Sequence, residues 1–232
     1  MKYFRPNHNC RLPRIRFFFL MLMALSIPVS ADGQTAFTDL ANHVAEQPAI
    51  TSMVRQGIMR GVSQTQFDPD ASVTRGDFVE SMQRMFDLQA PVQKINFQDV
   101  STSSEIYVAV QAVAPFLGRQ MRCFGCSLGL TFGPNEPISR LEMAVTLTNI
   151  LIATNKVALL SPTAAEAALA GVLDTATLRG PVREYVATAL QHGVIARTSS
   201  NTLAPDLHVT RADLAVQLDG VQKKFNIPQL RP

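Results

Sequence analysis

The sequence predicts an all-α protein assembled from three helix-loop-helix repeats packed as a pseudo-threefold unit around a central helix bundle. The first observation behind this is a motif that recurs without gaps. Phe67-Asp68-Pro69 leads to Val73-Thr74-Arg75-Gly76-Asp77-Phe78, and Phe132-Gly133-Pro134 leads to Ile138-Ser139-Arg140-Leu141-Glu142-Met143. Leu203-Ala204-Pro205 leads to Val209-Thr210-Arg211-Ala212-Asp213-Leu214. The second is helical spacing of apolar residues after each motif: Phe78, Met82, Met85 and Phe86; Met143, Leu147, Ile150 and Leu151; Leu214, Leu218, Val221 and Phe225. The third is a matching upstream half. Phe37-Thr38-Asp39-Leu40 corresponds to Phe97-Gln98-Asp99-Val100, with Val172-Leu173-Asp174 as a poorer third version.

Taken in chain order, residues 1–31 read as a signal peptide. Lys2, Arg5, Arg11, Arg14 and Arg16 precede an apolar run from Phe17 to Val29, and Val29-Ser30-Ala31 offers cleavage after Ala31. The run is shorter than the roughly 20 apolar residues that span a bilayer, so export is expected rather than anchoring. No second transmembrane segment follows. Five of the 21 basic residues and none of the 18 acidic ones lie in 1–31, leaving 16 against 18 in the remainder. The basic character belongs to the leader, so the charge balance gives no argument for nucleic-acid binding.

The first repeat, 37–87, has Pro48 in an opening helical turn and the apolar stripe Ile50, Met53, Val54. Gly57 suits a left-handed helix stop. Thr74 caps the second helix, with Asp77 at capping-box spacing beside the positive end of the helix dipole. The middle repeat, 97–153, has Ser104 as a candidate cap and Ile106, Val110 and Val113 inward. Gly57 and Gly193 each lie ten residues before Phe67 and Leu203, whereas Gly118 lies fourteen before Phe132. The four extra residues coincide with Cys123-Phe124-Gly125-Cys126 and mark an insertion. Ser161-Pro162 to Ala170 reads as a linker helix stopped by Gly171. The last repeat, 172–225, opens its first helix at Pro181, carries Val182, Val186, Ala189 and Leu190, and stops at Gly193. One repeat cannot bury its own apolar faces, so the three are expected to pack together.

Few residues suggest chemistry. Removal of the leader takes Cys10 with it and leaves Cys123 and Cys126, which in an exported protein fit a local disulfide or idle thiols. A thioredoxin-like redox pair would sit at a helix start after a strand, and a zinc site needs about four ligands. His43, His192 and His208 form no metal-spaced pairing, and no Gly-x-Ser-x-Gly, P-loop or dinucleotide fingerprint is present. No enzyme activity, metal or cofactor is expected.

The repeats resemble S-layer homology (SLH) repeats, which begin Phe-x-Asp-Val, continue to Gly-Ile-x-x-Gly, and end in Phe-x-Pro followed by Thr-Arg-Ala-Glu. The first copy matches through Phe37, Asp39, His43, Gly57, Ile58, Gly61, Phe67, Pro69, Thr74 and Arg75, with Val44 where the family has Trp. The resemblance implies first helices in a central bundle and grooves between repeats. Such grooves bind acidic, often pyruvylated, cell-wall polysaccharide non-covalently. It further implies that Arg75, Arg140 and Arg211, with Asp39, Asp99, Asp174, Gly57 and Gly61, shape or line those grooves. A guanidinium can hold a carboxylate with two parallel hydrogen bonds; equally, each Arg can pair within the protein and only lock the fold. The departures are Thr-Arg-Gly-Asp, Ser-Arg-Leu-Glu and Thr-Arg-Ala-Asp, Leu203 for Phe, Arg197 for the second Gly, and the middle insertion. The expected partner is a wall polysaccharide or peptidoglycan-linked polymer, and the alternative is a helical scaffold for another envelope protein. The expected location is periplasm, cell wall or the outer-membrane-associated envelope.

Overall fold

The computed structural model describes residues 37–118 and 130–230. The predicted leader and the Cys123–Cys126 pair lie outside the described residues. Seven α-helices occur among the described residues: α1 Gln47–Arg55, α2 Arg75–Phe86, α3 Tyr107–Val113, α4 Arg140–Ala153, α5 Pro162–Ala168, α6 Val182–Gln191 and α7 Arg211–Lys224. Strand-type pairing among them is limited to isolated bridges, so the fold is all-α as predicted.

The second helix of each segment starts as the motif dictates. The Thr74, Ser139 and Thr210 hydroxyls accept the amides of Asp77, Glu142 and Asp213. At α4 the Glu142 carboxylate also returns to the Ser139 amide, closing a capping box. Gly57 and Gly193 are left-handed, with φ of +68° and +59°, behind α1 and α6. Ser161 caps α5 through the Ala164 amide. The Ser104 expectation is corrected: α3 begins at Tyr107 after Ile106, with no side-chain cap. It is the Ser104 carbonyl, not its hydroxyl, that accepts the Tyr107 amide in the preceding turn.

A capped helix still has orphan amides at its first two positions. Here they leave the segment. Arg75 and Gly76 donate to the carbonyls of Glu136 and Pro134; Arg140 and Leu141 donate to Leu207 and Pro205; Arg211 and Ala212 donate to Ala71 and Pro69. Between these pairs, Val73 donates to Val209, Val209 to Ile138 and Ile138 to Val73, at 2.9–3.0 Å. The bonds run in one direction from segment to segment and close on themselves. The motif prolines thus serve as acceptors inside this ring, where their lack of an N–H costs nothing.

Helix packing follows the same cycle. α2 lies on α3, α4 on α6, and α7 returns to α1, so each second helix covers a first helix of another segment. Phe67, Phe78, Phe132, Ile138 and Leu147 are among the side chains wholly removed from water. Each contributes about 1.5–3 kcal/mol by burial. The Phe37–Phe67 and Phe97–Phe132 rings tilt together at 5.6 and 5.7 Å, and the corresponding last-segment residues are Val172 and Leu203, both buried. The connections are fastened by single polar side chains. Gln111 bonds both backbone groups of Ile95, the Thr188 hydroxyl accepts the Leu160 amide, and Arg183 holds Glu166 of α5 through two bonds of 2.7 Å. The first and last segments also meet through a buried reciprocal amide pair, Gln56–Gln222, at 2.8 and 2.9 Å.

Two stability effects are expected. Asp68, Gly133 and Ala204 occupy one structural position and share positive φ values of 58°, 69° and 48°. Only Ala204 is a non-polar residue with a Cβ in that region, so Ala204→Gly should stabilise the protein by about 1 kcal/mol in thermal unfolding. Gln222→Leu should destabilise it by about 1–3 kcal/mol in urea titration, because the buried Gln56 amide loses its partner.

Candidate functional site

The motif arginines extend the ring through their side chains. Arg211 donates from Nε to the Phe67 carbonyl at 2.7 Å and from Nη2 to the Arg60 carbonyl, and lies 4.6 Å from the Phe67 ring centre. Arg140 does the same one segment on, from Nε to Leu203 at 2.9 Å and from Nη2 to Ala196 at 2.8 Å. Arg75 differs. Its Nη1 reaches the Phe132 carbonyl at 3.3 Å, its Nη2 pairs with Glu142, and its buried Nε has no acceptor. Asp77 and Asp213 stand at the positions corresponding to Glu142 and are one methylene shorter, and neither forms an ion pair with Arg211 or Arg140 among the described residues.

The upstream aspartates grip the same loop residues from the amide side. Asp39 accepts the Phe67 and Asp68 amides, Asp99 those of Phe132 and Gly133, and Asp174 those of Leu203 and Ala204, at 2.6–3.1 Å. One carboxylate bridging two successive amides holds the second residue left-handed. Each loop apolar residue is therefore bonded on both faces: its N–H to an Asp of its own segment, its carbonyl to an Arg of the neighbour. The arginines and aspartates singled out by sequence come together as paired backbone clamps.

Beside the clamp made by Arg211 lies a groove of about 270 Å³ between α2 and the start of α7. Met59, Arg60, Gly61 and Val62 form one wall, Asp77, Glu80, Ser81 and Arg84 another, and Arg211 with Leu214 closes the end. Gly61 is there for close approach: a Cβ would stand 2.5 Å from the Ser63 carbonyl and 2.6 Å from the Phe37 ring. Gly57 is the helix stop, with open space around it. Arg84 is bonded to Glu80 at 2.8 Å and to the Ile58 carbonyl, so Arg60 and Arg211 face Asp77 as the remaining charges. A second groove of about 170 Å³ has the corresponding α7 residues Asp213, Val216 and Gln217 with Arg140 and Met143. Glu46 joins it, so its acids outnumber its single Arg. Arg60, Arg84 and Glu46 were not singled out by sequence. They lie outside the repeated pattern, and only folding brings them beside it. Among the described residues no group of three or more His, Cys, Asp or Glu could hold a metal, and no helix is long and apolar enough to cross a membrane.

Burial pulls the Arg211 pKa down, against the attraction of Asp77, Asp68 and Asp39; an arginine stays charged regardless. For Asp39, burial opposes ionisation, but the Asp68 and Phe67 amides outweigh it, with the aspartate's own amide and His43 assisting, so its pKa falls below 3.8. A depressed carboxyl contributes stability above its unfolded pKa and loses it as pH falls through the folded value. Asp39→Asn should therefore destabilise the chain by about 1–3 kcal/mol at pH 7. In urea titrations the difference from wild type should shrink below about pH 4.

A family model for the S-layer homology domain matches residues 36–79 and 180–215, and the middle segment falls in neither match. The chain is 24% identical over 194 residues to the Surface-layer 125 kDa protein of Lysinibacillus sphaericus, covering 82% of this chain and 15% of that protein. It is 25% identical over 195 residues to Exoglucanase XynX of Acetivibrio thermocellus, covering 82% of this chain and 16% of that enzyme. It is 24% identical over 194 residues to the Amylopullulanase of Thermoanaerobacterium thermosulfurigenes, covering 81% and 10%. The chain thus spans 10–16% of the length of these relatives. S-layer homology domains are cell-wall anchoring modules, non-catalytic in themselves. The first match contains the Asp39 clamp and the Gly57 to Gly61 wall, and the second the Arg211 that closes the groove, so the parts of the chain that build this groove are similar to S-layer homology domains.

Proposed function

We propose that this chain is an exported, non-catalytic cell-envelope module that holds an acidic cell-wall polysaccharide, or a peptidoglycan-linked polymer, in the groove between α2 and the start of α7. The three segments 37–87, 97–153 and 172–225 are read as copies of one unit. The observation that carries the proposal is the preformed groove itself. Its walls are tied to one another by the Arg211 and Asp39 clamps, so little ordering is needed when a ligand arrives. Its size, about 270 Å³, suits a single sugar ring better than an extended ligand. With Arg84 matched by Glu80, positive charge exceeds negative along it, which favours a carboxylate or ketal-linked pyruvate on the sugar. Arg211, Arg140 and Arg75 act chiefly by fixing the loops, with Arg211 adding its charge to the groove floor. Asp39, Asp99 and Asp174 act through the loops they hold.

The purified chain should co-sediment with wall fragments that retain their acidic polymer, and soluble polymer should release it. Raising the salt from about 0.05 to 0.5 M should weaken binding several-fold, because the groove is open to solvent and its charges are screened. Absence of sedimentation, together with recovery of one envelope protein on the same chain, would replace this reading by that of a protein-binding scaffold.

A further inference from the structure

We propose that Arg60 is the side chain that selects the ligand in this groove, by pairing with a carboxylate on a wall sugar, and that of the two corresponding grooves lined by described residues this one is anion-selective. The proposal rests on the wall-binding reading above. The groove holds two other guanidiniums. Arg211 is 8% exposed, and its Nε and Nη2 are both taken by backbone carbonyls. Arg84 is bonded to Glu80 and to the Ile58 carbonyl. Both are framework.

Arg60 has a different situation. Its side chain is exposed, and among the described residues no ion pair or side-chain hydrogen bond engages its guanidinium. Its backbone, in contrast, is held at its carbonyl. Arg211 Nη2 binds its carbonyl, and Gly61 next to it sits where no Cβ would fit. A charged, unengaged head on a fixed stem at the rim of a groove can close over an incoming anion without moving the fold. Of the two acids on the opposite wall, Asp77 already accepts the Thr74 hydroxyl at 2.9 Å and Glu80 is bonded to Arg84.

The corresponding position in the last segment serves as an internal control. Ala196 takes the place of Arg60, and its carbonyl accepts Arg140 Nη2 in the same way. The clamp is therefore kept and the free guanidinium is lost; Arg197, in the place of Gly61, is bonded to Asn201 and to the Ala168 carbonyl and does not line the groove. The groove beside Arg140 carries Glu46 and Asp213 against that one arginine. Its sign opposes an anion, although its scaffold matches the first. Selectivity thus follows Arg60 and not the motif arginine that the two grooves share.

The test is a sedimentation titration of the full chain on purified wall fragments of the organism that encodes it. Three preparations are used: untreated, carboxyl-reduced with carbodiimide and borohydride, and stripped of phosphodiesters with cold hydrofluoric acid. Wild type should bind the untreated walls and lose at least tenfold in affinity on the carboxyl-reduced ones, and the polymer that hydrofluoric acid releases should compete with untreated walls for it. Arg60→Ala should lose at least tenfold on untreated walls with an unchanged melting temperature, and Arg60→Lys should retain most of the affinity. If Arg60→Ala binds as wild type does, the assignment to Arg60 is overturned while the wall-binding reading stands. Failure of the released polymer to compete while its carboxylates are intact overturns the carboxylate class. Failure of wild type on every wall preparation overturns both the assignment and the reading beneath it.

Discussion

A helix cannot satisfy the amides of its own first turn, and much of this structure follows from where α2, α4 and α7 send theirs. The motif hydroxyl takes the third amide. The first two cross to the loop of a neighbouring segment, and the residue before the cap joins the closed ring of Val73, Ile138 and Val209. A helix start is thereby made into a joint. Because each joint needs a loop from another segment, none of the three can be completed alone. The apolar packing has the same property, since each second helix covers a first helix that belongs elsewhere. Local capping and long-range burial therefore demand the same assembly, which is the agreement between levels that favours one native state.

The clamps built on this ring explain how a site can arise from residues that are mainly structural. Asp39 and Arg211 hold the two sides of the Phe67 peptide unit, and the Arg211 side chain also reaches the carbonyl of Arg60. The groove wall is fixed by the same bonds that join the segments. Small changes then alter the three positions without disturbing the fold. Glu142 is long enough to neutralise Arg75, whereas Asp77 and Asp213 leave Arg211 and Arg140 without such a partner. Ala196 in place of Arg60 removes a charge but keeps its carbonyl bond. Repetition supplies the scaffold, and departures from it supply the differences in charge.

Helix identities and starts were legible in the sequence because they depend on residues three or four apart. Thr74 with Asp77, Ser139 with Glu142 and Thr210 with Asp213 are local geometry, and the structure has each cap. Ser104 shows the boundary of that reasoning. A hydroxyl at suitable spacing is a cap only if the backbone leaves it in an extended conformation, and here Ile106 precedes α3 in a helical one. The grooves were legible only as a place. Motif spacing pointed to the Gly57 to Gly61 loop and the motif arginines. It could not say which nitrogen faces a carbonyl and which faces solvent.

By itself, then, the sequence determined an all-α chain with repeated capped helices, the glycine stops and the aspartates and arginines held in register. All of these rest on short-range spacing and on the repetition of one pattern. Only the tertiary structure decided that the orphan amides close a ring across segments, that the motif arginines clamp backbone carbonyls, and that Arg60 stands unengaged beside the groove. Those outcomes depend on partners up to 151 residues apart. Which of several chemically adequate acceptors an arginine takes is set by where the folded chain brings them, and no local pattern encodes that distance.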